Sequence, residues 1–352
     1  MELNNIIFLI FLLFFGYFIN KYLLLILNKK RTKLLLDDQF KKVQAFHYQH
    51  TYRIGGITFF FLFAIVSLYL FSYKNIFLAE YLAFASLFFF LGLFDDLKIY
   101  IPPKFRLLAM IGILIFLIIQ NEFYIEKSGL KFLNDLLSID IFALIFMCLC
   151  FLFIINGSNL IDGFNGLLGI HASIIFIVLF AINIITGNSG LAYTLFYLLI
   201  LTLIFLKFNF PKAQMFLGDS GAYLVGAFIA VSVINTSILN PSISPFFFCI
   251  LLFYLFFEVF FSFFRKLFIV RQSPLFPDKK HLHMLLYKLL LKKNKSRLIS
   301  NYTVSIYLNL VYLLILIPGI FFMKDGLFCR YYFFLILIFY ISFYKLIYKK
   351  VI

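Results

Sequence analysis

Eleven apolar runs, each near the ~20 residues a helix needs to cross a bilayer, lie at about 5–28, 55–73, 77–94, 107–120, 138–156, 167–186, 190–208, 220–238, 245–268, 302–322 and 331–349. In lipid, backbone N–H and C=O groups find no water, so such runs must satisfy themselves as helices. The chain is therefore expected to be all-α: a polytopic integral membrane protein of about 11 transmembrane helices, forming one domain over 1–352. Only 13% of its residues are charged and 64% are hydrophobic, about half the charge of a soluble domain. Soluble classes are excluded. The run after "MELNN" is too long for a signal-peptide core and reads as the first membrane helix. Cys148, Cys150, Cys249 and Cys329 all sit in or beside apolar runs, and on a helix Cys148 and Cys150 point away from each other. They read as small buried residues, not as a disulfide framework or a zinc site.

Positive charge sets the orientation. Lys29, Lys30, Arg31, Lys33, Lys41, Lys42 and Arg53 follow the first run, and a lysine-rich stretch from Arg265 to Arg297 follows the ninth. Loops after even-numbered runs carry only Lys74, Lys127, Lys131, Lys324 and Arg330. The positive-inside rule then places odd-numbered loops in the cytoplasm, the N-terminus outside and the C-terminus cytoplasmic. Much of the +16 net charge is thereby topogenic, and no nucleic-acid partner is called for. A basic cytoplasmic surface also suits anionic lipid or phosphate.

The polar residues sort the same way. "HTYRIGG", "GLFDDLKIYIPPK", "NGSNLIDGFNG", "NFPKAQMFLGDSG" and "RQSPLFPDKKHLHM" follow runs one, three, five, seven and nine. Loops 29–54, 95–106, 157–166, 209–219 and 269–301 are thus expected on one face, as one candidate site.

Each cluster has a functional and a bland reading. Asp95 and Asp96 can hold a divalent cation, accept a proton, or merely stop a helix; intramembrane acids are usually functional. After the prolines at 102 and 103, Lys104 and Arg106 suit lipid headgroups or phosphate. Asn156, Asn159 and Asp162 recur every three residues and lie within reach of one another on a helix. Gly163 and Gly166 suit either a close helix contact or a turn with φ > 0. A helix contact explains the glycines alone, whereas a nucleotide or metal pocket explains the whole stretch. Asp219, between Gly218 and Ser220, is either an N-cap or a metal ligand. His281 and His283 are two apart, so one helix face cannot present both. With Lys279 and Lys280 they read as a phosphate-gripping loop more than a zinc site. Glu258 reads as a structural partner of Arg265 or Lys266.

In content and order these clusters resemble the polyprenyl-phosphate N-acetylhexosamine-1-phosphate transferases, glycosyltransferase family 4, over nearly the whole chain from Arg53 to His283. The resemblance implies a ten- or eleven-helix fold, dependence on Mg²⁺ (with Mn²⁺ an alternative), and a cytoplasmic active site in a multi-pass protein of the bacterial inner membrane. It implies Asp95, Asp96 and Lys104 as catalytic residues. Asn156, Asn159, Asp162, His281 and His283 would bind substrate, and Asp219, with Asn156, would hold the metal. The chain departs from the family pattern at Tyr52 (usually proline), Asn165 (often aspartate) and Met284 (a third histidine in some branches). "SPLFPD" before "HLHM" looks closer to the O-antigen-initiating branch than to the peptidoglycan phospho-MurNAc-pentapeptide translocase.

The implied partners are UDP-N-acetylhexosamine, undecaprenyl phosphate and membrane lipids, with a homodimer possible. The implied reaction transfers N-acetylhexosamine-1-phosphate to undecaprenyl phosphate and releases UMP, initiating a cell-surface polysaccharide. Two rivals are weaker. A secondary transporter should carry its polar site near the bilayer midplane, and a lipid-binding scaffold has no use for four one-sided carboxylates, Asp95, Asp96, Asp162 and Asp219.

Overall fold

A computed structural model describes residues 3–30, 35–37, 50–125, 127–271, 273, 278–293 and 295–351. "SPLFP" at 273–277, apart from Ser273, and the basic residues Arg31, Lys33, Lys41 and Lys42 lie outside this set. The helices are α1 (Leu3–Lys30), α2 (Gly55–Lys74), α3 (Ala79–Asp96), α4 (Pro103–Gln120), the short α5 (Lys131–Leu137), α6 (Asp140–Ile161) and α7 (Leu167–Ile185). They continue with α8 (Ser189–Asn209), α9 (Gly218–Leu239), α10 (Pro245–Leu251), α11 (Phe253–Phe264), α12 (Leu282–Lys292), α13 (Arg297–Phe321) and α14 (Gly326–Val351). A two-residue ribbon, β1 (Leu36–Asp37) against β2 (Thr51–Tyr52), is antiparallel and pairs Leu36 with Tyr52. The protein is an all-α polytopic membrane protein.

Nine of the described helices are each long and apolar enough to cross a membrane, and α10 with the helical stretch that follows it, bent by 77°, makes ten if the pair is one broken span and not a re-entrant loop. The count falls short of eleven at α3. That helix covers the expected third run but carries Glu80, Asp95 and Asp96 in 18 residues. The ninth run, expected as one helix, is broken. At the break the Leu251 carbonyl accepts the Tyr312 hydroxyl at 2.5 Å, so a carbonyl released by the bend is satisfied inside the protein, as lipid demands.

Helix α9 is the axis of the bundle. It is the most buried span and packs against α2, α3, α6 and α7. Where α9 meets α3 there is no room for side chains: a Cβ on Gly92 would stand 2.5 Å from the Ser220 backbone. This close approach brings the end of α3 against the start of α9, and with it Asp95 and Asp96 against Asp219.

Candidate active site

The site forms where α2 and α9 begin and α3 ends. The Gly55 and Gly56 amides donate to the Phe216 and Leu217 carbonyls at 2.9 Å each, which ties the start of α2 to the strand-like approach to α9. Tyr52 holds the same corner. Its carbonyl accepts from the Phe216 amide at 2.9 Å, and its hydroxyl donates to the Leu27 carbonyl at 2.9 Å.

Asp95 and Asp96 separate at once. Adjacent helical residues point about 100° apart, and here one carboxylate faces inward while the other faces a groove. The Asp96 side chain is 0% exposed, and its oxygens accept from Asp219 N at 3.0 Å, Ser220 N at 2.9 Å, Ser220 Oγ at 2.6 Å and Arg53 Nη1 at 3.4 Å. Asp95 instead pairs with Arg106, whose Nη1 is also 3.9 Å from Asp219 Oδ2. Asp95 and Asp219 keep 17% and 27% of their side chains exposed. Of the three acids where α3 meets α9, these are the two a ligand can reach.

Among the described residues, the carboxylates of Asp219 and Asp162 accept no hydrogen bond. Asp162 follows the last residue of α6. Burial, together with the charges of Asp219 and Asp96 and against the pull of Arg53, holds its carboxyl well above the ordinary range. Asn159 Nδ2 donates to Tyr223 Oη at 3.2 Å, one turn beyond Asp219 on α9. Asn156 donates to the Leu152 carbonyl at 2.8 Å and to Met110 Sδ of α4 at 3.8 Å. Of the expected stripe, Asn156 faces α4, Asn159 faces α9, and Asp162 feels the charges of Asp219 and Asp96.

The glycines of "DGFNG" serve a turn. Gly166 has φ +79° where α7 starts, and its amide donates to Asn209 Oδ1 at 2.6 Å. Asn165, one of the departures from the family pattern, is structural here: its amide donates to Asn301 Oδ1 at 2.8 Å and its Nδ2 to the Pro211 carbonyl at 2.9 Å.

Two expectations need correction, and Lys104 stands apart from the acidic cluster. Lys104 is exposed and makes no hydrogen bond or ion pair among the described residues, whereas Arg106 turns into the acidic cluster. Two residues apart on α4, they point to different sides. His281 and His283 do not form an open phosphate-gripping loop. They are 2% and 0% exposed, with rings stacked 5.5 Å apart. Both face inward because His281 lies just before α12, in extended backbone, and escapes the helical spacing that would have separated them. Burial lowers the pKa of His283 to about 3, against the opposing effect of Glu258. It is a neutral ring bonded to Tyr254 Oη at 3.1 Å and edge-on to Phe164. Glu258 pairs with neither Arg265 nor Lys266. It accepts from His281 Nδ1 and Leu282 N at 3.0 Å each and from the Tyr340 hydroxyl, while Arg265 pairs with Asp278. The histidine segment is thus a buried anchor for α12, touching the 162–166 loop through Phe164.

Sequence reasoning missed Tyr223 and the pairing role of Asp37. The first was legible, because a residue four after Asp219 shares its helix face. The second was not, because Arg53 reaches Asp37 Oδ2, at 2.7 Å from Nη2, across the ribbon.

A bundle of apolar helices thus gathers Asp95, Asp162, Asp219 and two arginines at one end, and its likeness to known proteins makes it a membrane-embedded enzyme. Residues 78–237 match the family described as glycosyl transferase family 4. The chain is 28% identical over 234 residues to the undecaprenyl-phosphate alpha-N-acetylglucosaminyl 1-phosphate transferase of Thermotoga maritima, covering 65% of this chain and 66% of that one. It is 30% identical over 238 residues to the phospho-N-acetylmuramoyl-pentapeptide-transferase of Dictyoglomus turgidum, covering 65% and 72% respectively. A probable undecaprenyl-phosphate N-acetylglucosaminyl 1-phosphate transferase of Bacillus subtilis is 29% identical over 198 residues, covering 55% of this chain and 53% of that one. The chain belongs to glycosyl transferase family 4.

Proposed function

We propose that the protein transfers N-acetylhexosamine-1-phosphate from a UDP-sugar to undecaprenyl phosphate, releasing UMP, in a bacterial cytoplasmic membrane with the site on the cytoplasmic face. One observation carries the reading. Asp95 and Asp219 flank Arg106 at the membrane-boundary end of the bundle, with Asp162 and Arg53 close by. The names of the relatives supply the substrates. The names include both N-acetylglucosaminyl 1-phosphate transferases and phospho-N-acetylmuramoyl-pentapeptide-transferases; the likeness to the Thermotoga maritima and Bacillus subtilis proteins supports a simple UDP-N-acetylhexosamine as donor and the start of a surface polysaccharide as the step served.

An oxygen of the lipid phosphate attacks the β-phosphorus of the donor. The bond from that phosphorus to the bridging oxygen breaks, and UMP leaves with the electron pair. Two anions must meet, so positioning and charge neutralisation dominate. Arg106 and Arg53 supply fixed positive charge beside the acids. Asp95, held by Arg106, orients the incoming phosphate or takes its proton; a phosphate monoester with a second pKa of about 6 asks little of a base.

The donors present fit a hard divalent cation. Among the described residues no three His, Cys, Asp or Glu side chains converge on a metal point, and Mg²⁺ commonly uses only one or two carboxylates plus substrate phosphates and water. Asp219, whose carboxylate accepts no hydrogen bond, would hold it with Asn156, whose Nδ2 is engaged and whose Oδ1 is not. Bound there, Mg²⁺ supplies Lewis-acid stabilisation of the diphosphate.

The test is exchange of labelled UMP into a panel of UDP-N-acetylhexosamines by the purified protein with undecaprenyl phosphate and Mg²⁺. Exchange with at least one donor is expected. No exchange with any donor in protein that remains folded refutes the reading.

A further inference from the structure

Asp96 is the most completely engaged acid of the site, and nothing in a motif of two adjacent aspartates says that both do the same work. We infer that Asp96 is a positioning residue: from α3 it caps the buried start of α9 in trans and so sets the place of Asp219. It takes no part itself in metal binding or proton transfer. The inference rests on the proposed reading of Asp219 as the metal-side acid.

A helix starts with N–H groups that have no partner in the helix. Ordinarily the side chain just before it bonds the second or third amide. In α9 that preceding residue is Leu217, which offers no capping group. Gly218 and Ser220 are buried, which limits what water can supply to this turn. Asp96 fills the gap from another helix. Asp219 and Ser220, second and third in α9, donate their amides to its Oδ1 and Oδ2 at 3.0 and 2.9 Å. The Ser220 hydroxyl adds a third bond at 2.6 Å. The negative charge also meets the positive end of the α9 dipole.

Two further features fit a cap. Gly218 has φ +75°, and a Cβ there would stand 2.5 Å from Asp96 Oδ2, so only glycine leaves room for the carboxylate. Arg53 approaches Asp96 Oδ1 at 3.4 Å while its other nitrogens hold Asp37 Oδ2 at 2.7 and 3.1 Å. A chain therefore runs from β1 through Arg53 and Asp96 to the first turn of α9. Four donors fill the acceptor sites of one carboxylate. None is left for a cation.

It follows that Asp219 has no capping work of its own. Its amide is held by Asp96, and its carboxylate projects from the same turn toward Arg106. The backbone bond fixes where that carboxylate starts; the groove decides what it meets.

The experiment uses the full chain in detergent or nanodiscs and compares Asp96→Asn, Ser220→Ala and Asp219→Asn with wild type. Two quantities are read: hydrogen–deuterium exchange of the amides at 219 and 220, and UMP exchange. Asparagine keeps one accepting oxygen but turns an NH₂ toward one of the two amides. Asp96→Asn is expected to speed exchange at these amides about tenfold, the scale of a lost cap, with transfer falling in step. Asp219→Asn is expected to lose transfer while the amides stay protected. Ser220→Ala, which removes only the hydroxyl bond, is expected to loosen the same amides by a smaller factor.

Loss of transfer in Asp96→Asn with the amides still protected would put Asp96 in the chemistry and overturn the inference. Should Asp96→Asn fail to fold, the wild-type protein decides: amides at 219 and 220 that exchange as freely as those of an uncapped helix start would overturn it. Wild-type protein with no UMP exchange would sink the proposed function instead, and amide protection would still test the cap.

Discussion

Replacing Asp219 by asparagine separates two uses of one carboxylate, and the structure fixes what each would show. For stability the terms are small and opposed. The substitution removes an ion pair to Arg106 at 3.9 Å between side chains 27% and 28% exposed, of a kind worth about 0–1 kcal/mol. It also relieves the repulsion that Asp219 exerts on Asp162 and its other acidic neighbours. The cap of α9 is untouched, because Asp96 binds the Asp219 backbone and not its side chain. The net change should stay within about 1 kcal/mol of zero. Catalysis should respond very differently. A neutral amide lacks the charge a carboxylate offers a hard cation, and the Lewis-acid contribution is worth several kcal/mol. A loss of at least about a hundredfold, roughly 2.7 kcal/mol, is therefore expected in UMP exchange at ordinary Mg²⁺. High Mg²⁺ or Mn²⁺ should restore part of it. The assay pairs thermal unfolding in detergent with initial rates over a Mg²⁺ titration. Wild-type turnover at every Mg²⁺ concentration would remove Asp219 from the site, and a large drop in stability would mean the side chain is structural after all.

Other variants probe the rest of the site. Arg106→Ala strands Asp95 and should lower UMP exchange by about tenfold or more; Lys104→Ala should cost less, and the reverse ranking in initial rates would restore Lys104 to the cluster. His283→Ala should act on stability more than on donor KM, because it removes the buried partner of Tyr254 at 3.1 Å, a change worth about 1–3 kcal/mol. A raised donor KM with unchanged thermal unfolding would place the ring in the substrate site. In a cysteine-free background, cysteine at Lys127 should label with impermeant maleimide from outside and cysteine at Lys292 only from the cytoplasm. Labelling of both from the same side would overturn the proposed orientation.

Much of this was legible because the chain is so apolar. Where hydrophobic residues make up 64% of a sequence, a run such as "NGSNLIDGFNG" stands out, since polar groups at a membrane are retained only when they have partners or work. What the sequence could not reveal were contacts between distant segments. Asp219 read equally as a cap or a ligand, and only the fold shows that its amide is capped by Asp96, which lies 123 positions away. The histidines were misread because helical spacing was applied to a pair of which only one is helical. The break in the 245–268 run lies at Leu251–Leu252, several residues past Pro245, and its released carbonyl is met by Tyr312 of α13.

The paired aspartates show how far such reasoning can be carried once a fold is known. At the end of a helix packed on one side, neighbours about 100° apart cannot both face the groove. The inward acid must find donors within the protein, since an unpaired buried carboxylate is too costly to keep, and here it finds them on the first turn of α9. The outward acid meets Arg106, and through that guanidinium it faces Asp219. The same inward packing that removes Asp96 from solution also delivers Asp219 to the groove, because one carboxylate grips the backbone from which the other projects. On the proposed reading the chemistry falls to Asp95 and Asp219, and the bond from the Asp219 amide to Asp96 sets the geometry between them.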